Sequence, residues 1–288
     1  CSPLLFQEGL LMSISWYPGH MHKNRKALVK LLREVIAVIE VLDARAPNAT
    51  ANPMLAEVCG NKPRIKVLCK ADLANPQATA KWQEYLNTQP NMTCLISEFE
   101  NSKIKGELLQ EARHVIRGNN ENKEIKHELA IIGIPNVGKS TLLNKLANRK
   151  LAKTGNEPAL TRTQLRINLD DIWYVIDTPG IMWPKLEDQE GARILAMLGS
   201  IRNTAYEVEE IGWFASELLL KCFRKPLAER YKLPEDVVSP NQLLLYIAQT
   251  RSGLDKGGKP DFHKASEVLL NDIRSGKLGP LSLEHAPD

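Results

Sequence analysis

Hydrophobic and polar positions change period several times along this 288-residue chain. Residues 22 to 35 carry Ala27, Leu28, Leu31, Leu32 and Val35 at helical spacing. The opposite face holds His22, Lys23, Arg25, Lys26, Lys30 and Arg33. It suits either solvent or the phosphates of a nucleic acid. Residues 35 to 42 (VIAVIEVL) are strand-like and end in Asp43-Ala44-Arg45. Asn52-Pro53 breaks the chain before a short helix over 54 to 59. Apolar runs predict strands over 64 to 68, 93 to 97 and 128 to 132. Helices are expected over 103 to 117 and 141 to 148, with a polar linker over 118 to 126. Residues 163 to 169 and 172 to 176 read as a hairpin. Beyond Asn203 the period is helical throughout, over 208 to 223, 239 to 251 and 261 to 276. Pro226, Pro234, Pro240 and residues 253 to 260 separate these stretches. Strands alternating with helices, then helices alone, predict an α/β domain over 12 to 202 and a small all-α domain over 203 to 288.

Composition narrows the class. The chain is 43% hydrophobic and 25% charged, which supports a sizeable core. It has no apolar run of the roughly 18 residues that cross a bilayer. The net charge of +4 permits a nucleic-acid partner without requiring one. Five cysteines, without a C-x-x-C pair, argue for a reducing compartment and against a zinc site or disulfide framework. Residues 1 to 11 (CSPLLFQEGLL) look foreign to the rest of the chain. They read as a leader or cloning remnant ahead of Met12.

The chemistry centres on Gly133-Ile134-Pro135-Asn136-Val137-Gly138-Lys139-Ser140, which fits the phosphate-loop pattern G-x-x-x-x-G-K-[ST]. A strand precedes it and a helix beginning at Thr141 follows. Backbone N–H groups from Asn136 through Thr141 would close around a β-phosphate at a helix N-terminus. Lys139 would reach the β/γ oxygens, and Ser140 would ligate Mg²⁺. The strand over 64 to 68 ends in Cys69-Lys70-Ala71-Asp72, close to the [NT]-K-x-D form that reads guanine. Asp72 would accept from the base and the Lys70 stem would cover the ring. Cys69 stands where an amide usually tethers this loop to the phosphate loop. Ser97-Glu98 follows the next strand, where the second residue's N–H meets the guanine oxygen. Asp177-Thr178-Pro179-Gly180 lies about 40 residues past the phosphate loop. Its aspartate suits the Mg²⁺ shell, and the Gly180 N–H suits the γ-phosphate. Thr161 is favoured over Thr163 as the threonine that meets Mg²⁺ and the γ-phosphate. The next position after Gly180, where many GTPases keep a glutamine, is Ile181.

The guanine-reading candidate lies upstream of the phosphate loop, and none follows Gly180. That order indicates a circular permutation, which keeps a site because surface loops can be cut and rejoined.

In that order the chain resembles the circularly permuted GTPases of ribosome assembly, and most of all the YlqF/RbgA family. The matching residues are WYPGHM (16–21), VLDARAP (41–47), NP (52–53), KADL (70–73), GIPNVGKSTLLN (133–144), TRTQ (161–164), DTPGIMWPK (177–185) and GKLGPLSLE (276–284). Cys69, Glu98 and Ala159 depart from the pattern. The resemblance implies a P-loop GTPase sheet with permuted motif order and a helical C-terminal domain that contacts ribosomal RNA. It implies GTP/GDP with Mg²⁺, a K⁺ ion held through Asn136, and His20 as a group implicated in hydrolysis. The implied role is GTP hydrolysis in late assembly of the large ribosomal subunit, by a cytoplasmic monomer. Two other readings stay open. One is a nucleotide-gated RNA-binding scaffold with negligible catalysis. The other is an ATP-using P-loop enzyme.

Overall fold

The computed structural model describes residues 21–98, 103–116, 126–148, 165–180, 188–252 and 258–287. His20, Thr161, Thr163, Ile181 and residues 1 to 11 lie outside these, as do the side chains of residues 21 to 27. The described residues divide into two compact units, one over the described residues from 21 to 180 with 280–287 and one over those from 188 to 279. In this division residues 188–202 go with the helices of the second unit, and residues 280–287 return to the first. Helical periodicity alone could not show that return, because residues 280 to 287 form no regular element.

The first unit is built on six strands: β1 (Ala37–Asp43), β2 (Arg64–Cys69), β3 (Met92–Ser97), β4 (His127–Gly133), β5 (Arg166–Asn168) and β6 (Trp173–Asp177). They lie in the order β3-β2-β1-β4-β6-β5. All pairs are parallel except β5 with β6, which form the expected hairpin. Every residue of β1 is buried, as a central strand covered on both faces requires.

Its helices are α1 (Met21–Glu34), α2 (Pro47–Thr50), α3 (Pro53–Cys59), α4 (Pro76–Thr88), α5 (Ile104–Ile116) and α6 (Lys139–Leu146). Crossovers between parallel strands are right-handed as a rule. Those from β1 to β2 to β3 run outward, and the one from β3 to β4 runs back. The latter puts α5 on the opposite face from α3 and α4. Leu28, Leu32 and Val35 join Val38, Leu55, Ala130 and Ile132 in one core cluster. Trp82 and Leu86 of α4 join Leu42, Leu68 and Cys94 in another. The helix α4 begins with Asn75 accepting from the Gln77 and Ala78 amides, followed by Pro76.

The second unit holds α7 (Gln189–Met197), α8 (Val208–Cys222), α9 (Arg224–Tyr231), α10 (Pro240–Ile247) and α11 (Phe262–Arg274). Helices α8 and α11 approach closely at Gly212, where an added Cβ would stand 2.2 Å from Ser266 Oγ. Asp272 accepts from Arg230 Nε at 2.8 Å and Tyr231 Oη at 3.1 Å.

Candidate functional site

Parallel strands aim their C-terminal ends at one sheet edge, which is where ligands bind in open α/β folds. Here β1 ends at Asp43, β2 at Cys69, β3 at Ser97, β4 at Gly133 and β6 at Asp177. The sequence-predicted residues Lys70, Asp72, Ser97, Glu98, Asn136 to Thr141, Asp177 and Gly180 all lie at or just beyond these ends.

The phosphate loop is shaped by close approaches. A Cβ on Gly133 would stand 3.1 Å from the Val41 carbonyl oxygen. Asn136 (φ 63°) and Gly138 (φ 109°) take left-handed conformations, and α6 begins at Lys139. Such turns point successive N–H groups into one concavity. Val137 is buried beneath the loop, and Ser140 and Thr141 are half-buried on the first turn of α6. Lys139 Nζ donates to Asp177 Oδ1 and to the Thr178 carbonyl. Thr178 Oγ1 donates back to Ile131 O on β4 at 2.8 Å. Gly180 lies against the loop, since a Cβ there would be 3.3 Å from Pro135 N. The D-T-P-G segment is thus fastened to the strand that carries the phosphate loop.

On the other side, Lys70 Nζ donates to the Asn136 carbonyl at 2.5 Å and to Asp43 Oδ2 at 3.0 Å. Lys70 is left-handed (φ 58°) and opens a single 3₁₀ turn over Ala71–Leu73. Asp72 sits exposed on that turn. Cys69 is buried, and its Cβ lies 2.9 Å from where a Gly138 Cβ would be. The thiol and the Ser97 hydroxyl are hydrogen-bond partners, and burial pushes the thiol up to about 12. Cys69 therefore stays a neutral, packed group. Ser97 is buried and Glu98 is exposed at the end of β3.

Sequence reasoning assigned no role to several groups here. Asp43 and Arg45 form a buried two-point pair, with Arg45 Nε to Oδ1 at 2.9 Å and Nη2 to Oδ2 at 2.8 Å. Burial alone would raise the Asp43 pKa, but the Arg45 guanidinium and the Lys70 ammonium hold it well below the usual carboxylate range. The returning tail is the second. Leu281 N donates to Leu73 O and Leu283 N to Arg45 O, at 2.9 and 2.7 Å. The Glu284 carboxylate accepts from the Asn48 and Ala49 amides at 2.7 and 2.9 Å. Ser282 Oγ accepts from Asn75 N at 3.1 Å. The run VLDARAP and the closing GKLGPLSLE were visible as motifs, but only the fold brings them beside Lys70.

Hydroxyl and carboxylate oxygens at Ser140 and Asp177 suit Mg²⁺, which prefers oxygen ligands and keeps several from phosphate and water. Among the described residues no group of three His, Cys, Asp or Glu could hold a metal alone. A shell shared with phosphates fits that donor set.

Comparison with known proteins is decisive. A ribosome biogenesis GTPase A from Priestia megaterium is 37% identical over 282 residues, covering 95% of this chain and 97% of the relative. This chain belongs to the ribosome biogenesis GTPase A family. The family described as "50S ribosome-binding GTPase" matches residues 128–210. The GNP-bound structure of YlqF from Thermotoga maritima is similar with a TM-score of 0.66 and 25% identity, covering 92% of this chain and 99% of that one. A GDP-bound YlqF structure is similar at 0.67 and 27%, covering 91% and 100%. As a ribosome biogenesis GTPase, the chain is a GTP hydrolase with a permuted motif order. The strand β2, which leads into Lys70-Ala71-Asp72, precedes the phosphate-loop strand β4, and both end at the same edge.

Proposed function

We propose that this protein binds GTP across the edge formed by β1, β2, β4 and β6, and hydrolyses it during late assembly of the large ribosomal subunit in the cytoplasm. The observation that carries the reading is the Lys70–Asn136 hydrogen bond, which ties the base-reading turn to the phosphate loop. In this reading the amides of Asn136 to Thr141 hold the β-phosphate, and Lys139 balances charge on the β/γ oxygens. Ser140 and Asp177 would hold Mg²⁺, with Thr161 joining them. Mg²⁺ supplies charge neutralisation at the phosphates when bound. Asp72 accepts from the guanine base, and the Ser97–Glu98 backbone meets its oxygen. His20 and a K⁺ ion held through Asn136 are the sources of water positioning and extra charge that Ile181 does not offer. The ribosomal partner would be met through ribosomal RNA, by a monomer.

The test measures turnover with and without large-subunit precursor particles, beside competition of GTP and ATP for the site. Particle-stimulated GTP turnover is expected, with ATP competing poorly. Equal competition by ATP would favour the ATP-using enzyme. Particle binding without turnover would favour the scaffold.

A further inference from the structure

Lys145 sits on the last turn of α6, seven residues past Gly138, and belongs to none of the motifs above. Its ammonium donates to the Glu98 carbonyl and lies 3.5 Å from Ser97 Oγ. The Ser97 hydroxyl in turn partners the Cys69 thiol, and Cys69 packs on Gly138. Asp72 and Glu98 are its carboxylate neighbours, and burial holds the lysine below its ordinary pKa. A charged donor on a rigid helix therefore grips the backbone of the loop after β3.

A hydrogen bond to a charged group is stronger than one between neutral groups. A thiol is a weak donor and acceptor. Cys69 thus fastens the loops poorly, while Lys145 fastens them well and does so from the phosphate-loop helix. We infer that Lys145 is a positioning residue that sets the Ser97–Glu98 backbone over the guanine ring, taking the place of the amide tether that Cys69 does not supply. It links base recognition to the element that holds the phosphates. The inference rests on the guanine reading proposed above.

Equilibrium binding of GDP and ADP to the full chain tests it, with Lys145→Met and Lys145→Arg beside the parent. Lys145→Met keeps the aliphatic stem and removes the donor. It is expected to weaken GDP about tenfold while leaving ADP unchanged, so the guanine-over-adenine ratio falls by the same factor. Lys145→Arg should restore most of that ratio, because a guanidinium can still donate to a carbonyl. Circular dichroism and the melting temperature confirm that each variant is folded. A parent that fails to prefer GDP sinks the guanine reading itself. A selective parent whose Lys145→Met variant is equally selective overturns the tether. Loss of GDP and ADP in equal proportion also overturns it, since that assigns Lys145 to the phosphates. Should Lys145→Met fail to fold, an unchanged ratio in Lys145→Gln, which can donate without charge, would count against the charged tether, and a reduced ratio would support it.

Discussion

Asp43 and Lys70 share a 3.0 Å ion pair that joins the end of β1 to the turn after β2. Lys70 uses the same ammonium to hold the Asn136 carbonyl, so its position is fixed from two sides. Asp43 is itself fixed by Arg45, whose side chain is only 1% exposed. Removing one member of such a buried pair costs about 3–5 kcal/mol, because the other charge loses its partner. Asp43→Asn is expected to lower stability by an amount in this range and to weaken GDP. Denaturant unfolding and equilibrium binding check the two effects separately.

The same carboxylate sets an acid limit. Its pKa is depressed in the folded state, so its contribution is fully present above the ordinary carboxylate pKa of about 3.9. It is lost as pH falls from there towards the folded value. Unfolding free energy should therefore decline below about pH 4 in the parent, and Asp43→Asn should flatten that limb. A pH series of urea melts reads this directly.

Lys139 pairs with Asp177 at the centre of the phosphate site. Lys139→Ala should abolish most triphosphate binding, because it deletes the cation proposed to face the β/γ oxygens. Asp177→Ala should act mainly by raising the Mg²⁺ concentration needed. Isothermal titration at several Mg²⁺ concentrations separates the two; parental GTP affinity in Lys139→Ala would defeat this assignment of the loop.

The tail offers a local test. The amides of α2 receive no cap from Ala46, and Glu284 supplies the acceptor instead. Glu284→Ala should cost about 1–2 kcal/mol, as the loss of a charged cap at a helix start does. Hydrogen exchange at Asn48 and Ala49 should accelerate in that variant.

For water activation, His20→Ala is expected to lower particle-stimulated turnover by at least about tenfold, with GTP affinity nearly unchanged. K⁺ should outperform Na⁺ in the parent. If the variant turned over GTP on particles at the parental rate, a ribosomal group would be the better candidate.

Local chemistry was legible in the chain itself. The run from Gly133 to Ser140 requires glycines for close backbone approach and a lysine for phosphate, whatever surrounds it. Strand and helix periods placed β1 to β4 within a few residues, because each buries an apolar run or face that must recur in sequence. The reversed order of Lys70-Ala71-Asp72 and the phosphate loop was likewise written in the sequence. Three-dimensional contact decided the rest. Glu284 caps amides 236 and 235 residues away, and Lys145 grips a carbonyl 47 residues upstream. Neither pairing has a period or a spacing, because a hydrogen bond between distant segments depends on where the sheet and its crossovers deliver them. The same holds for Cys69. Its sequence showed only a missing amide, while packing against Gly138 and bonding to Ser97 gave it a structural place and passed the tether to Lys145.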